Sequence, residues 1–156
     1  EALSLCRQPV KMVFSGNPDT PGYGKTLSQL AARYKVDNRI KWMGRVSEAD
    51  KLDLYARATG IVFPPQDEDY GYITLEAMLS AKPVITCEDS GGPLEFVMDE
   101  ETGLIAKAEA ASLAAAMDRL WKERAFAREA GLSGRRRYDE MNITWKHVVE
   151  VLLDEN

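Results

Sequence analysis

Gly60-Ile61-Val62-Phe63-Pro64-Pro65 runs on through Gln66 and Asp67 into Glu68-Asp69-Tyr70-Gly71-Tyr72-Ile73-Thr74-Leu75-Glu76. The apolar run reads as a short buried strand, and the two prolines end it because neither can donate to a ladder. Tyr72, Leu75, Met78 and Leu79 then recur at helical spacing. A helix therefore starts near Gly71 and carries Glu76 about one turn in. Glu68 falls in a loop past a strand's carboxyl end, the edge at which open α/β sheets bind their ligands.

An ionised carboxylate only accepts hydrogen bonds, and two adjacent hydroxyls offer two donors to its two oxygens. Glu68 and Glu76 could therefore hold two polyols, as a sugar nucleotide would present. Between them, the backbone N–H groups of Tyr70, Gly71 and Tyr72 can face a diphosphate, and Gly71 lets the backbone approach closely. The plainer reading of both acids is a solvated loop and a solvated helix face, since most carboxylates are surface residues without a role. Asp67 and Asp69 read as solvated flank.

The chain of 156 residues supports one domain. Hydrophobic residues at 45% and charged residues at 29% are ordinary for a globular protein, and no apolar run is long enough to span a bilayer. A net charge of −5 argues against a general nucleic-acid binder, so an anionic ligand has to be met locally. Cys6 and Cys87 lack CxxC or metal spacing and read as buried thiols of a reducing, cytoplasmic compartment. The opening at Glu1, without a leader, reads as a fragment of a longer enzyme.

Strand and helix patterns alternate along the chain. Val10–Ser15 and Arg39–Met43 read as strands, and Leu27, Leu30, Ala31 and Tyr34 form a helical stripe between them. Ser47 and Asp50 form a variant capping box for a helix whose inner face reads as Leu52, Tyr55 and Ala56. After the central stretch come strands at Pro83–Cys87 and Thr102–Ala106, a helical turn opened by Ser90-Gly91-Gly92-Pro93, and a helix striped by Leu113, Ala116, Met117 and Leu120. Trp145, Val148, Val149 and Leu152 stripe a last helix, with His147, the only histidine, off the stripe and exposed. The pattern is α/β, a Rossmann-like parallel sheet with helices on both faces.

Two tempting motifs fail. Gly22-Tyr23-Gly24-Lys25-Thr26 imitates the end of a P-loop, but the required earlier glycine is Asp19, and Pro18 and Pro21 remove backbone donors. Nucleotide hydrolysis loses its mechanism with that spacing. Arg135-Arg136-Arg137 reads as a solvated face in a connector between helices, given the net acidity. A single exposed histidine also argues against a multi-histidine metal site and a Ser/His/Asp triad.

Val10-Lys11-Met12-Val13-Phe14-Ser15-Gly16, Trp42-Met43-Gly44-Arg45-Val46-Ser47, the two glutamates, Ala81-Lys82-Pro83-Val84-Ile85, Gly91-Gly92-Pro93-Leu94-Glu95 and Thr144-Trp145 stand in one order along the chain. Together they resemble the donor-binding carboxyl-terminal domain of retaining, GT-B-fold glycosyltransferases of group one. The resemblance implies transfer of a sugar from a nucleotide diphosphate sugar with retention, without a metal or resident cofactor. It implies that Glu68, counted as the catalytic residue, binds donor-sugar hydroxyls, and that Glu76 binds the ribose. Tyr70-Gly71-Tyr72 would bring amides to sugar and phosphate, and Arg45 and Val46 would lie against the base. Asp69 departs from the commoner glycine. The acceptor, a glycan, lipid or small molecule, would be bound by an amino-terminal domain that also supplies a histidine; such a parent enzyme has room for peripheral membrane contact.

The family's domain begins with a strand ending in an arginine and a lysine that clamp the diphosphate, and nothing before Val10 resembles it. Neither Arg7 nor Lys11 substitutes for those cations. By resemblance that strand would lie in the centre of the sheet, between the strands at Val10 and Gly60. The chain alone is then expected to be inactive. A non-catalytic sugar-nucleotide-binding or interaction module on the same fold is the other reading, because a fold does not prove turnover.

Overall fold

The computed structural model describes residues 1–18 and 20–154, so the Asp19 of the failed P-loop lies outside the described residues. The elements run α1 (Ala2–Leu5), β1 (Met12–Phe14), α2 (Tyr23–Arg33), β2 (Ile40–Trp42), α3 (Glu48–Arg57), β3 (Ile61–Val62), α4 (Tyr72–Leu79), β4 (Val84–Cys87), α5 (Pro93–Phe96), β5 (Gly103–Ala106), α6 (Ala110–Lys122), α7 (Arg124–Glu140) and α8 (Trp145–Asp154). All pairings are parallel, as short strands separated by helical crossovers require.

The sheet is in two parts. Among the described residues β1 pairs only with β2, whereas β3, β4 and β5 form a separate sheet in that order. In a parallel ladder a residue sends its amide and its carbonyl to the same neighbour, and successive residues alternate sides. The Phe14 carbonyl accepts from the Met43 amide at 2.9 Å, so Phe14 faces β2 and Val13 faces away from it. Likewise the Ile61 amide donates to Pro83 O and the Phe63 amide to Ile85 O, each at 2.9 Å, which turns Val62 away from β4. The outward edges of β1 and β3 both line one cavity of about 820 Å³.

What bridges the opening is the helical layer. Ile85, Leu104, Met117, Leu120 and Ala127 form a buried cluster against which Val10 and Met12 of the first half and Val62 of the second pack. The Asp118 carboxylate on α6 accepts the amides of Arg7 at 2.8 Å and Gln8 at 2.9 Å, which pins the segment leading into β1. The Arg39 guanidinium donates to the carbonyls of Leu3, Gln8 and Val10 at 2.9 to 3.0 Å and closes the same segment from the other side.

Several expected faces differ. Ser47 caps α3 as read, its Oγ accepting the Asp50 amide at 3.1 Å. The inner stripe of α3, however, is Lys51, Leu54, Tyr55 and Ala58, whereas Leu52 and Ala56 are exposed. The i, i+3, i+4, i+7 pattern is intact but begins on a lysine, whose aliphatic stem can cover apolar surface. On α4, Leu75 and Met78 are buried as expected, but Tyr72 and Leu79 are exposed and the small Thr74 and Ala77 take the inner positions. On α8, Val149 and Leu152 are exposed, and the Trp145 and Val148 side chains fall outside what is described. His147 is exposed, as read. Cys87 is buried, whereas Cys6 is only half-buried.

Arg135, Arg136 and Arg137 lie inside α7, not in a connector. The Arg137 Nε and Nη2 donate to Phe96 O and Glu95 O, both at 3.0 Å, and the Arg135 Nη1 donates to Leu79 O at 2.9 Å. Two of these arginines therefore cap the last carbonyls of neighbouring helices, a favourable place for a cation. Arg135 and Arg136 are nevertheless both exposed, Arg135 pairing with Asp139 and Arg136 contacting Ser133 and Glu129 of the same helix.

Candidate functional site

Glu68 is held by its backbone. Its amide donates to Ser90 O at 3.1 Å and its carbonyl accepts the Gly92 amide at 2.7 Å, an isolated parallel bridge between the loops after β3 and β4. The Asp67 amide adds a contact to Asp89 O at 2.9 Å. This zipper needs two glycines. A Cβ on Gly91, at φ +69°, would stand 2.6 Å from Glu68 O, and one on Gly92 would stand 2.7 Å from Asp69 O. The Ser90 hydroxyl completes the join by donating to Pro65 O and accepting the Cys87 amide, each at 3.0 Å. The glycine-rich turn after β4 thus positions the loop after β3, and leaves the Glu68 side chain in solvent.

Gly71 is the N-cap of α4, with φ +76° and ψ +52°. Its missing Cβ would lie 2.8 Å from Pro93 Cγ, so both the left-handed backbone and the contact with α5 call for glycine. Among the described residues no side chain caps this end, and the first internal bond is from the Thr74 amide to Gly71 O at 2.9 Å. The amides of the first turn therefore have no carbonyl partner within the helix, and an anion is favoured at such an end. Tyr70 and Tyr72 flank the turn with ring centroids 4.9 Å apart, and Tyr70 also meets Phe96 edge-on at 5.5 Å.

Glu76 has a different setting. Its Oε1 accepts from Lys51 Nζ and its Oε2 from Tyr55 OH, both at 2.9 Å. Lys51 also reaches Glu48 at 3.0 Å. Burial, and then the hydrogen bond and charge of Glu76, push the Tyr55 hydroxyl well above the ordinary tyrosine range. The hydrogen bonds that Lys51 donates to Glu76 and Glu48 likewise raise its ammonium above the ordinary lysine value. Both side chains are therefore firm donors to Glu76. The Glu76 carboxylate, 38% exposed, lines the cavity between the half-sheets together with Lys51, Tyr55, Ile73 and Ser15.

The cavity brings in Glu76 but not Glu68, Tyr70, Gly71, Tyr72, Arg45 or Val46. Arg45 and Val46 follow β2, at the same carboxyl edge of the parallel strands as Glu68. Arg45 is exposed and Val46 half-buried, and the Gly16 amide ties their loop to the one after β1 through Gly44 O at 2.7 Å. Lys51 was not legible as a site residue, and Tyr55 read only as core. The signal that could have found them is their i, i+4 spacing, which stacks two donors on one helix face.

The chain belongs to the glycosyl transferases group 1, whose family model matches residues 1–137. Among curated relatives, it is 27% identical over 140 residues to the alpha-1,3/1,6-mannosyltransferase ALG2 of Dictyostelium discoideum, an alignment covering 86% of this chain and 33% of that protein. It is 32% identical over 149 residues to the alpha-maltose-1-phosphate synthase of Mycolicibacterium smegmatis, covering 90% of this chain and 38% of that one. The chain thus spans little more than a third of these relatives. Among solved structures, Anabaena HepE in complex with UDP and glucose aligns with a TM-score of 0.82 at 24% identity, over 98% of this chain and 43% of that chain. The sucrose-phosphate synthase of Thermosynechococcus elongatus aligns with a TM-score of 0.81 at 26% identity, over 98% and 39%. The architecture is that of GT-B glycosyltransferases. No described helix is long and apolar enough to cross a membrane.

Proposed function

We propose that residues 1–156 are the donor-binding domain of a retaining glycosyltransferase that uses a nucleotide diphosphate sugar and no resident metal or cofactor. Glu76 accepts the ribose hydroxyls, Glu68 accepts hydroxyls of the donor sugar, and the Tyr70, Gly71 and Tyr72 amides receive the diphosphate. Arg45 and Val46 lie against the base. The observation that carries this reading is the zipper between the loops after β3 and β4. It holds the Glu68 backbone beside the uncapped start of α4, while Glu76 stands one turn further along the same helix.

The arrangement suits the chemistry. Two carboxylates that accept paired hydroxyls flank a run of helix-start amides that favours an anion, the order sugar, diphosphate, ribose. Family membership and the UDP bound by a structural neighbour support the donor class. The acceptor, and the remaining cations for the diphosphate, belong to the longer protein that the relatives exemplify. Residues 1–156 alone transfer no sugar, because losing even one positioned donor in a charge-stabilising site costs roughly 10²–10³ in rate.

A thermal-shift panel of UDP, GDP and ADP with their common sugars tests the reading, since a ligand bound only by the folded state raises its melting temperature. One nucleotide series is expected to stabilise the chain, and Glu68→Gln to remove the added benefit of the attached sugar. Failure of every nucleotide to shift the transition would overturn the donor-domain reading.

A further inference from the structure

The Glu76 carboxylate is half used. A carboxylate has about four acceptor positions, two on each oxygen. Lys51 Nζ occupies one on Oε1 and Tyr55 OH one on Oε2, each at 2.9 Å. One acceptor position on each oxygen is left, and the Glu76 side chain is 38% exposed rather than sealed in the protein interior. Those two positions form a pair fixed in plane by two donors from one helix face. A vicinal diol offers the complementary pair of hydroxyl donors.

An ion pair that merely joined α3 to α4 would need only Lys51. Such a pair is worth little at a surface, and here Lys51 is already engaged by Glu48 at 3.0 Å. The second donor is the informative one. Tyr55 spends a half-buried hydroxyl on the other oxygen, which removes the freedom of the carboxylate to rotate about its terminal bond. Fixing an acceptor before its ligand arrives lowers the ordering cost of binding.

We propose that Lys51 and Tyr55 are positioning residues that set the Glu76 carboxylate as a bidentate acceptor for a vicinal diol, and thereby make the chain select ribonucleotides over their 2′,3′-dideoxy counterparts. This rests on the reading that Glu76 receives the donor ribose. The discrimination belongs to the trio rather than to Glu76 alone.

Calorimetric titration of the 156-residue chain with UDP, GDP and ADP, each beside its 2′,3′-dideoxy form, tests it through the affinity ratio of the better-bound pair. The wild-type ratio is expected to be at least about tenfold, in keeping with hydrogen bonds to a charged acceptor. Tyr55→Phe keeps the ring and should cut that ratio by roughly threefold or more, while leaving the dideoxy affinity unchanged. Lys51→Met should do the same, and Lys51→Arg, which still donates to a carboxylate, should restore most of it. Equal losses for both ligands in Tyr55→Phe and Lys51→Met would show a merely structural role and overturn the proposal. A wild-type ratio near one would instead overturn the ribose reading of Glu76, and the proposal with it. Urea midpoints of the variants, measured alongside, identify any loss caused by unfolding, and the two variants act through different atoms, so one unstable variant leaves the other to decide.

Discussion

Gly91 and Gly22 sit in the same left-handed region, at φ +69° and +84°, but in different surroundings. No atom of the described residues lies within 4 Å of a Cβ built on Gly22, whereas one on Gly91 would meet Glu68 O at 2.6 Å and Glu68 N at 2.8 Å. Gly22→Ala should therefore cost only the left-handed strain, about 1–2 kcal/mol. Gly91→Ala adds a clash between two backbones that cannot yield without unzipping, and should cost about 3 kcal/mol or more. Urea denaturation of the two variants checks this, and equal midpoints would show that the zipper is not rigid. Tyr55 gives a second test. Its folded pKa is raised, chiefly by burial and then by Glu76. The stability it contributes is whole below the unfolded value near 10 and is lost as pH rises through the folded one. Tyr55→Phe should flatten the alkaline limb of stability above about pH 10 relative to wild type; an unchanged limb would mean that Tyr55 titrates freely.

At the scale of elements, α7 shows what patterning misses. Gly131 and Gly134 each weaken an isolated helix by about 1 kcal/mol relative to alanine. Yet a Cβ on Gly131 would stand 2.1 Å from Ala81 O, so the glycine lets α7 lie directly on the turn between α4 and β4. Arg137 then anchors the same helix to the end of α5 through Phe96 O and Glu95 O. Arg137→Ala should destabilise the chain by about 1–3 kcal/mol, the range for bonds from a charged donor in a half-buried setting, whereas exposed Arg136→Ala should stay within about 0.5 kcal/mol. Comparable chemical-denaturation midpoints for the two would return all three arginines to the solvated face that the sequence suggested. Apart from α7, part of which read as a connector, the strand and helix order was legible because apolar runs broken by proline and glycine leave few alternatives, and the Ser47 cap and the Pro93 start came from side-chain chemistry that acts locally. The inward turn of Lys51 was not legible, since a lysine on a helix reads as solvent-facing until its partner Glu76 is seen. The zipper was half legible: Gly91-Gly92 read as a turn, but its register with Glu68 is set by the spacing of β3 and β4 in the sheet, which no single stretch encodes.

For the whole molecule, the opening between β1 and β3 dominates. The cavity of about 820 Å³ runs along the outward edges of β1 and β3. Its two long walls are strand edges, and their ladder direction leaves the amides of Val13 and Val62 turned into the opening, where no described residue receives them. Backbone groups in that position are satisfied by water, and amides bonded only to water exchange without waiting for the fold to open. In β4, by contrast, Ile85 lies between β3 and β5, its carbonyl accepts the Phe63 amide of the β3 side, and it is 1% exposed. Hydrogen exchange on the 156-residue chain should accordingly find the Val13 and Val62 amides at least about a hundredfold less protected than those of Ile85 and Leu104. Measured by NMR as a function of protein concentration, the contrast should be constant, because it arises within one chain. Protection at Val13 and Val62 equal to that of Ile85 in dilute solution would mean that β1 and β3 close on each other, and protection that grows with concentration would mean that a second copy supplies the strand.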